Sequence, residues 1–391
     1  MIEEKENIND LNLPLVSGGF VPVHRLIIAG GGTGGHIFPA IAIANAIKKL
    51  QPQTEILFVG ALGKMEMEKV PQAGYKIEGL DIAGFNRSSL IKNITLPFKL
   101  VKSFFQVAGI FKRFKPTGVI GVGGYSSFPV LKYAQTKGLS TFIHESNSFA
   151  GKSNILLGRK ATQVFTASEG MEKFFPAEKI LVTGNPVRQS ITSVKVSKEQ
   201  ALAFFGFNAN QKVVLSMGGS LGAKSINEAI DKDIDMFAQH NLQLIWQTGK
   251  PYKEKSIERA RGKTNVFVNE FISNMEYAYA AADVVISRSG AMALSELCVV
   301  QKPVLFVPYP FAAEDHQTVN AKTLVNMQAA QMIKDSEALP MLVPSVIALL
   351  KDTATQETLK QNIGKMAVAN ADVKIAESIL ECLNSKSKNR K

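Results

Sequence analysis

Four glycine-rich turns hold the residues of this chain best suited to bind an anion. Gly30-Gly31-Gly32-Thr33-Gly34-Gly35 follows the apolar run RLIIA, and Gly121-Val122-Gly123-Gly124-Tyr125-Ser126, Gly218-Gly219-Ser220-Leu221-Gly222-Ala223 and Ser289-Gly290-Ala291 each follow another apolar run. Glycine lets main-chain N–H groups approach a phosphate closely, and a helix starting just after the turn adds a favourable dipole. One such turn is an ordinary strand-to-helix connection. Four together, at the strand ends where α/β folds bind ligands, point to a phosphorylated ligand. The first turn formally fits the dinucleotide pattern G-x-G-x-x-G, which also needs a carboxylate about 20 residues on, at the end of the second strand, for the ribose diol. The second strand ends Phe58-Val59-Gly60-Ala61-Leu62 without one, which disfavours nicotinamide redox chemistry.

These turns need elements to hold them in place. HRLIIAGGGTGGHIFPAIAIANAIKKL reads as a short strand, a turn and a helix, and further buried strands are expected at 56–59, 118–122, 140–144, 164–166 and 180–182. Glycine or polar residues and then a segment of helical period follow, the rhythm of a parallel α/β sheet. GNPVRQSITSVKVSKEQ is polar and turn-rich and reads as a linker. The rhythm then restarts, with strands expected at 213–216, 242–247, 266–268, 284–287 and 304–307. The sequence predicts a disordered leader (1–22), a Rossmann-like domain (23–185), a linker (186–198), a second Rossmann-like domain (199–370), and a C-terminal helix with a basic tail (371–391). The two domains face each other across a cleft.

Composition narrows the partners. At 46% hydrophobic and 20% charged, 391 residues can bury two large cores. The net charge of +12 calls for an anionic partner. Between Asp81 and Glu145 there is no acidic residue, while Arg87, Lys92, Lys99, Lys102, Lys112, Arg113, Lys115, Lys132 and Lys137 all fall there. No apolar run reaches the roughly 18–20 residues that span a bilayer. The acidic, polar start lacks the features of a signal peptide, and Cys298 and Cys382 give no disulfide framework, so a reducing cytoplasmic setting is expected.

GGGTGGHIFPAIAIA, GVGGYSSFP, HESNSFAGKSN, GNPVR, GGSLGA, SGAMALSE and PVLFVPYPFAAEDHQTVNA occur in this order from about His24 into the final third of the chain. Together they resemble the MurG family within glycosyltransferase family 28, which adds N-acetylglucosamine to lipid I to make lipid II in peptidoglycan synthesis. The leader and the tail SKSKNRK lie outside the resemblance. The resemblance implies an α/β GT-B fold, a UDP-N-acetylglucosamine donor, a lipid-linked muramyl-pentapeptide acceptor and a single displacement with inversion. It also implies a peripheral position on the cytoplasmic face of the cell membrane, within reach of other cell-wall or division proteins. No cofactor is expected. Asp231-Lys232-Asp233-Ile234-Asp235 contains the D-x-D spacing by which transferases of another fold hold a metal, but it lies in a helical segment well past its glycine turn and reads as a solvated face. Helix dipole and donor groups can stabilise UDP without metal, and no zinc-like clustering is present.

In the family the C-terminal domain holds the donor. Carried over, Ser289, Gly290 and Ala291 present N–H groups to the diphosphate, Glu296 accepts the ribose hydroxyls, and Ser220 donates to phosphate. The backbone at Ile272 meets the uracil edge, Gln317 the sugar hydroxyls, and Arg188 supplies a planar donor fork at the hinge. Asn147 maps to a further sugar contact, although Ser146 replaces the family's usual glutamine beside it. Thr33, Gly34 and Gly35 are grouped with the donor contacts and are also candidates, with Gly123, Gly124, Tyr125 and Ser126, for the acceptor's pyrophosphate. Glycosyl transfer needs a base for the incoming hydroxyl. His36, at a helix start that disfavours imidazolium, is the first candidate, and Glu145 is the second. Phe98, Val101, Phe104, Phe105, Ile110, Phe111 and Phe114 recur every three or four residues among Lys99, Lys102, Lys112 and Arg113. That pattern predicts an anionic-membrane docking face within 86–116. Two alternatives remain: another GT-B enzyme with a glycolipid acceptor, or a non-enzymatic binder of anionic lipid. Nucleic acid is disfavoured, because no recognised binding module is present.

Overall fold

A computed structural model of the chain describes residues 23–84, 94–192, 196–219, 221–312 and 315–388. Seven strands form the first sheet: β1 (Arg25–Ala29), β2 (Glu55–Ala61), β3 (Lys76–Leu80), β4 (Gly118–Gly121), β5 (Ser140–Glu145), β6 (Gln163–Thr166) and β7 (Ile180–Val182). Six form the second: β8 (Lys212–Met217), β9 (Leu242–Gln247), β10 (Val266–Asn269), β11 (Val284–Ser287), β12 (Val304–Phe306) and β13 (Gln331–Met332). The orders are β3-β2-β1-β4-β5-β6-β7 and β10-β9-β8-β11-β12-β13. Every pairing is parallel, as between β1 and β4, where Leu26 meets Gly118, and between β8 and β11, where Met217 meets Ser287. Helices cover both faces of such sheets, so central strands such as VVIS are buried at every position. Strand order reverses between β1 and β4 and between β8 and β11, and α/β folds take ligands at such points.

Three helices of the first half matter for the site: α1 (Gly34–Leu50), α2 (Glu66–Gln72) and α3 (Leu96–Phe114). The helix Ala371–Lys388 belongs spatially to that half, although it follows the whole second sheet. Its Ile375, Ala376, Ile379, Leu380 and Leu383 pack with Leu26, Ile28, Ile43 and Ile47. His24 Nε2 donates to Asn384 Oδ1 at 2.9 Å, and Ser378 Oγ donates to Gln163 Oε1 at 2.6 Å.

Two sequence expectations change here. Asp231 is not on a solvated face. It is buried and accepts hydrogen bonds from Tyr252 Oη at 2.7 Å and Arg259 Nε at 2.9 Å, with Lys255 Nζ at 2.6 Å. Burial alone would raise its pKa, but its partners, Lys255 foremost, hold it below the usual value. Asp235 is paired with Lys263 and Arg259. The basic face of α3 is also less free than its sequence window implies. Lys99 and Lys102 pair with Asp81 at 3.4 and 2.7 Å, and Arg113 pairs with Glu78 at 2.6 Å. The apolar residues divide by face: Ile110 and Phe111 are buried, whereas Phe98 and Phe105 are 77% and 76% exposed, with Val101 beside them. Among the described residues no single helix is long and apolar enough to cross a membrane.

Candidate functional site

On the first sheet the glycine turns interlock. Gly31 N donates to Gly123 O at 3.4 Å, and a Cβ on Gly124 would lie 2.4 Å from Gly31 O, so only glycine lets the two turns approach this closely. Under the first turn lies Glu66, a buried carboxylate. It accepts from Gly32 N at 2.9 Å and from Ala61 N at 3.0 Å. The carboxylate absent from the end of β2 is therefore supplied five residues later. It is spent on main-chain amides of the turn and of the strand end, one on each oxygen. A Cβ on Gly31 would meet it at 2.2 Å, which fixes that position as glycine.

α1 begins at Gly34, and the first-turn amides of Gly34 and Gly35 have no acceptor within the helix. Thr33 takes the N-cap position without a side-chain cap. His36 Nδ1 lies 3.0 Å from Gly31 O. A carbonyl only accepts, so Nδ1 carries the proton in the neutral ring and Nε2 keeps a lone pair. That Nε2 lies beside Gly123, where a Cβ would sit 2.8 Å away. Tyr125 brings a buried hydroxyl that makes no hydrogen bond, and burial and then the charge of Glu66 raise its pKa, so it stays a neutral donor. Ser126 is buried beside it at the N-cap of the following helix.

Glu145 is fully occupied. Its Oε1 accepts from Asn147 N and Nδ2 at 3.1 and 3.2 Å, and its Oε2 from Gly151 N and Asn154 Nδ2 at 3.1 and 2.9 Å. Four donors organise the loop after β5 around it and leave no lone pair for a substrate proton. To act as the second candidate base, Glu145 would first have to give up one of these donors. Asn147 keeps its place on that loop, half-buried. His144 next door is wholly buried, neither ring nitrogen makes a hydrogen bond, and burial pushes its pKa down to about 4. It sits against Gly184 and Asn185 of the connecting segment. Asn185 Nδ2 bridges the halves, donating to Ser146 O at 3.2 Å and Ser295 Oγ at 3.1 Å.

On the second sheet the site is built from side chains. Ser289 Oγ donates to Gln317 O at 2.8 Å, and Gly290 caps the helix Ala291–Val300. Gln317 Oε1 accepts from Tyr309 N at 3.0 Å. Ile272 N already donates to Gln247 Oε1 at 3.2 Å, which leaves its carbonyl for a base edge. Ser220 lies outside the described residues. Glu296 is buried, with Arg188 bidentate at 3.0 and 3.1 Å and Tyr279 Oη at 3.0 Å. Burial, then the charge of Glu296, holds the Tyr279 hydroxyl well above its ordinary pKa, so it remains a donor. Arg288 ties Val307 O at 2.9 Å, Pro308 O at 3.1 Å and Ser225 Oγ at 3.0 Å into one support beneath the loop that precedes Gln317.

The halves meet where these two sites face each other. Phe38 of α1 stacks with Phe271, ring centroids 6.4 Å apart. The Arg188 guanidinium lies 4.5 Å from the Phe38 centroid, and Lys69 of α2 lies 5.0 Å from that of Phe271. Sequence reasoning missed Glu66, Phe38, Tyr279 and Phe271. The only local signal was a carboxylate opening the helix after β2; the other three act through contacts distant in sequence.

Comparison with known proteins gives a consistent result. Residues 26–166 match the glycosyltransferase family 28 N-terminal domain, and residues 213–379 match the family's C-terminal domain. A Bacteroides fragilis protein named UDP-N-acetylglucosamine--N-acetylmuramyl-(pentapeptide) pyrophosphoryl-undecaprenol N-acetylglucosamine transferase is 49% identical over 361 residues, 91% of this chain and 95% of its own. A protein of the same name from Flavobacterium psychrophilum is 49% identical, covering 93% of this chain and 98% of its own. The crystal structure of Acinetobacter baumannii MurG superposes with a TM-score of 0.68 at 29% identity, covering 92% of this chain and all of that one.

Proposed function

This chain belongs to glycosyltransferase family 28 and has its GT-B fold, and we propose how its residues carry the reaction. It transfers N-acetylglucosamine from UDP-N-acetylglucosamine to the lipid-linked muramyl-pentapeptide, forming lipid II and UDP. The observation that carries the assignment of roles is His36, whose Nδ1 is fixed on Gly31 O while Nε2 is left as an acceptor beside the Gly123 turn. The acceptor's pyrophosphate lies against the amides of Gly34, Gly35, Gly123 and Gly124, with Tyr125 donating. Its hydroxyl then gives its proton to His36 Nε2 while attacking the anomeric carbon from the face opposite UDP. Departing UDP is stabilised at the N-terminus of the helix Ala291–Val300 by Ser289, Gly290 and Ala291. Ile272 O reads the base, Gln317 and Asn147 the sugar, and Glu296 the ribose.

The acceptor's tail stays in a bilayer, so a surface of the first half has to reach the headgroups. The exposed apolar face of α3, with Phe98, Val101 and Phe105, is the docking element. Lys112 adds attraction to anionic lipid, and Lys99, Lys102 and Arg113 add theirs when they swing from Asp81 and Glu78, since exposed ion pairs hold only weakly. The test of function is transfer of labelled N-acetylglucosamine from its UDP donor to purified lipid I. No labelled lipid product from this acceptor, with transfer to a different glycolipid, would replace the assignment.

A further inference from the structure

Glu296 already has more partners than a ribose site can keep. Its Oε1 accepts from Arg188 Nε, and its Oε2 accepts from both Arg188 Nη2 and Tyr279 Oη. A carboxylate has about four lone-pair positions, so one remains, whereas a ribose diol donates two hydrogen bonds. One present donor must leave. Tyr279 is packed in the second core among Met217, Met275 and Ala278 and has no room to swing. Arg188 is on the connecting segment, is less buried than Glu296, and its guanidinium lies over the face of Phe38 at 4.5 Å.

A half-buried guanidinium that gives up its carboxylate is best held by another anion. The one that arrives with the ribose is the diphosphate. It would sit at the N-terminus of the same helix that bears Glu296, within two turns of it. Resting on the donor site proposed above, we infer that Arg188 is exchanged during donor binding: the ribose takes its place on Glu296, and its guanidinium passes to the diphosphate while still lying on Phe38. The two events are coupled, so a nucleoside breaks the ion pair without replacing it, and a nucleoside diphosphate replaces it. Discrimination against the nucleoside follows from that coupling. Phe38 is two residues beyond His36 in α1 and stacks on Phe271 beside Ile272, so the exchange takes place where the two halves touch.

Calorimetry with UDP and with uridine on the full chain separates this from simpler roles. Arg188→Ala leaves Glu296 unpaired in advance, so uridine should bind about ten-fold tighter while UDP binds about ten-fold more weakly. Arg188→Lys keeps the charge without the bidentate fork and should shift both ligands in the same opposite senses by less. If Arg188→Ala does not fold, the lysine variant is judged by the same criterion. Equal weakening of both ligands would make Arg188 a static support for Glu296 and overturn the exchange. Loss of UDP affinity with uridine unchanged would make it a plain phosphate contact and also overturn it. Failure of the parent protein to bind UDP would remove the donor site itself, a result distinct from either.

Discussion

The two halves share one wiring diagram and use it in different ways. Six strands of each sheet follow the same doubly wound order. At the reversal of the first sheet the groups offered to a ligand are main-chain amides, steadied from below by Glu66 and joined by one histidine. At the reversal of the second, side chains hold one another: Arg188 with Glu296 and Tyr279, Gln247 with Ile272, Arg288 with the loop before Gln317. Amides bind an anionic group whatever it is attached to, which suits a pyrophosphate carrying a long tail. A side-chain network reads a particular small molecule and can rearrange when it arrives.

That contrast is open to several tests, the largest effect first. His36→Ala should lower kcat by about 10²–10⁴-fold with donor affinity unchanged. A change confined to acceptor KM in steady-state kinetics would leave the first half with amides alone as its chemistry. Acidification probes the seam between the halves. Unfolded, the His144 ring takes a proton near pH 6.5; folded, burial holds its pKa at about 4. Between those values the unfolded chain binds the proton and the folded chain does not. The stability is fully present above pH 6.5 and falls as pH drops towards 4, by about 3 kcal/mol. Urea denaturation of the parent and His144→Gln at pH 7 and 4.5 should show the larger acid loss in the parent, and equal losses would contradict it.

Glu296→Ala should cost about 1.5–3 kcal/mol in UDP-sugar affinity through the lost charge-assisted hydrogen bonds. Unchanged donor affinity by calorimetry would take ribose recognition away from the second half. The pair Phe98→Ser and Phe105→Ser should weaken flotation with anionic vesicles by more than any lysine change, because inserted rings contribute buried apolar area. Lys112→Gln should have the smallest effect, about 1 kcal/mol. If the serine pair floats as well as the parent, docking uses another face of the first half.

What the sequence made legible was local. A strand, a glycine turn and a helix lie within about fifteen residues, so the turns at 30–35 and 289–291 and the histidine just inside α1 could be read directly. β3, KIEGL, was not read, since it is an edge strand with lysine and glutamate among its residues and no continuous apolar run. β13 has only two residues. The glycosyltransferase fold and activity were read from motifs in order. The ties that decide which groups remain free were not legible: Glu66 reaches back 34 residues to Gly32, and Arg188 reaches forward 108 to Glu296. The acid-free window between Asp81 and Glu145 likewise did not show its own ion-pair partners. The fold lays Asp81 and Glu78 against the lysines and arginine the window had isolated.

The closing helix has a consequence for how the protein is made. Ile375, Ala376, Ile379, Leu380 and Leu383 complete the core around β1 and α1, elements synthesised more than 300 residues before them. Domains usually fold in the order of their synthesis. Here the second half can close its core while the first still exposes the apolar groove that Ala371–Lys388 will fill. The nascent first half must wait through the translation of the whole second half, with Leu26, Ile28 and Ile47 short of their last partners. A ribosome stalled before residue 371 would leave a protein with a finished second half and a first half open along one side.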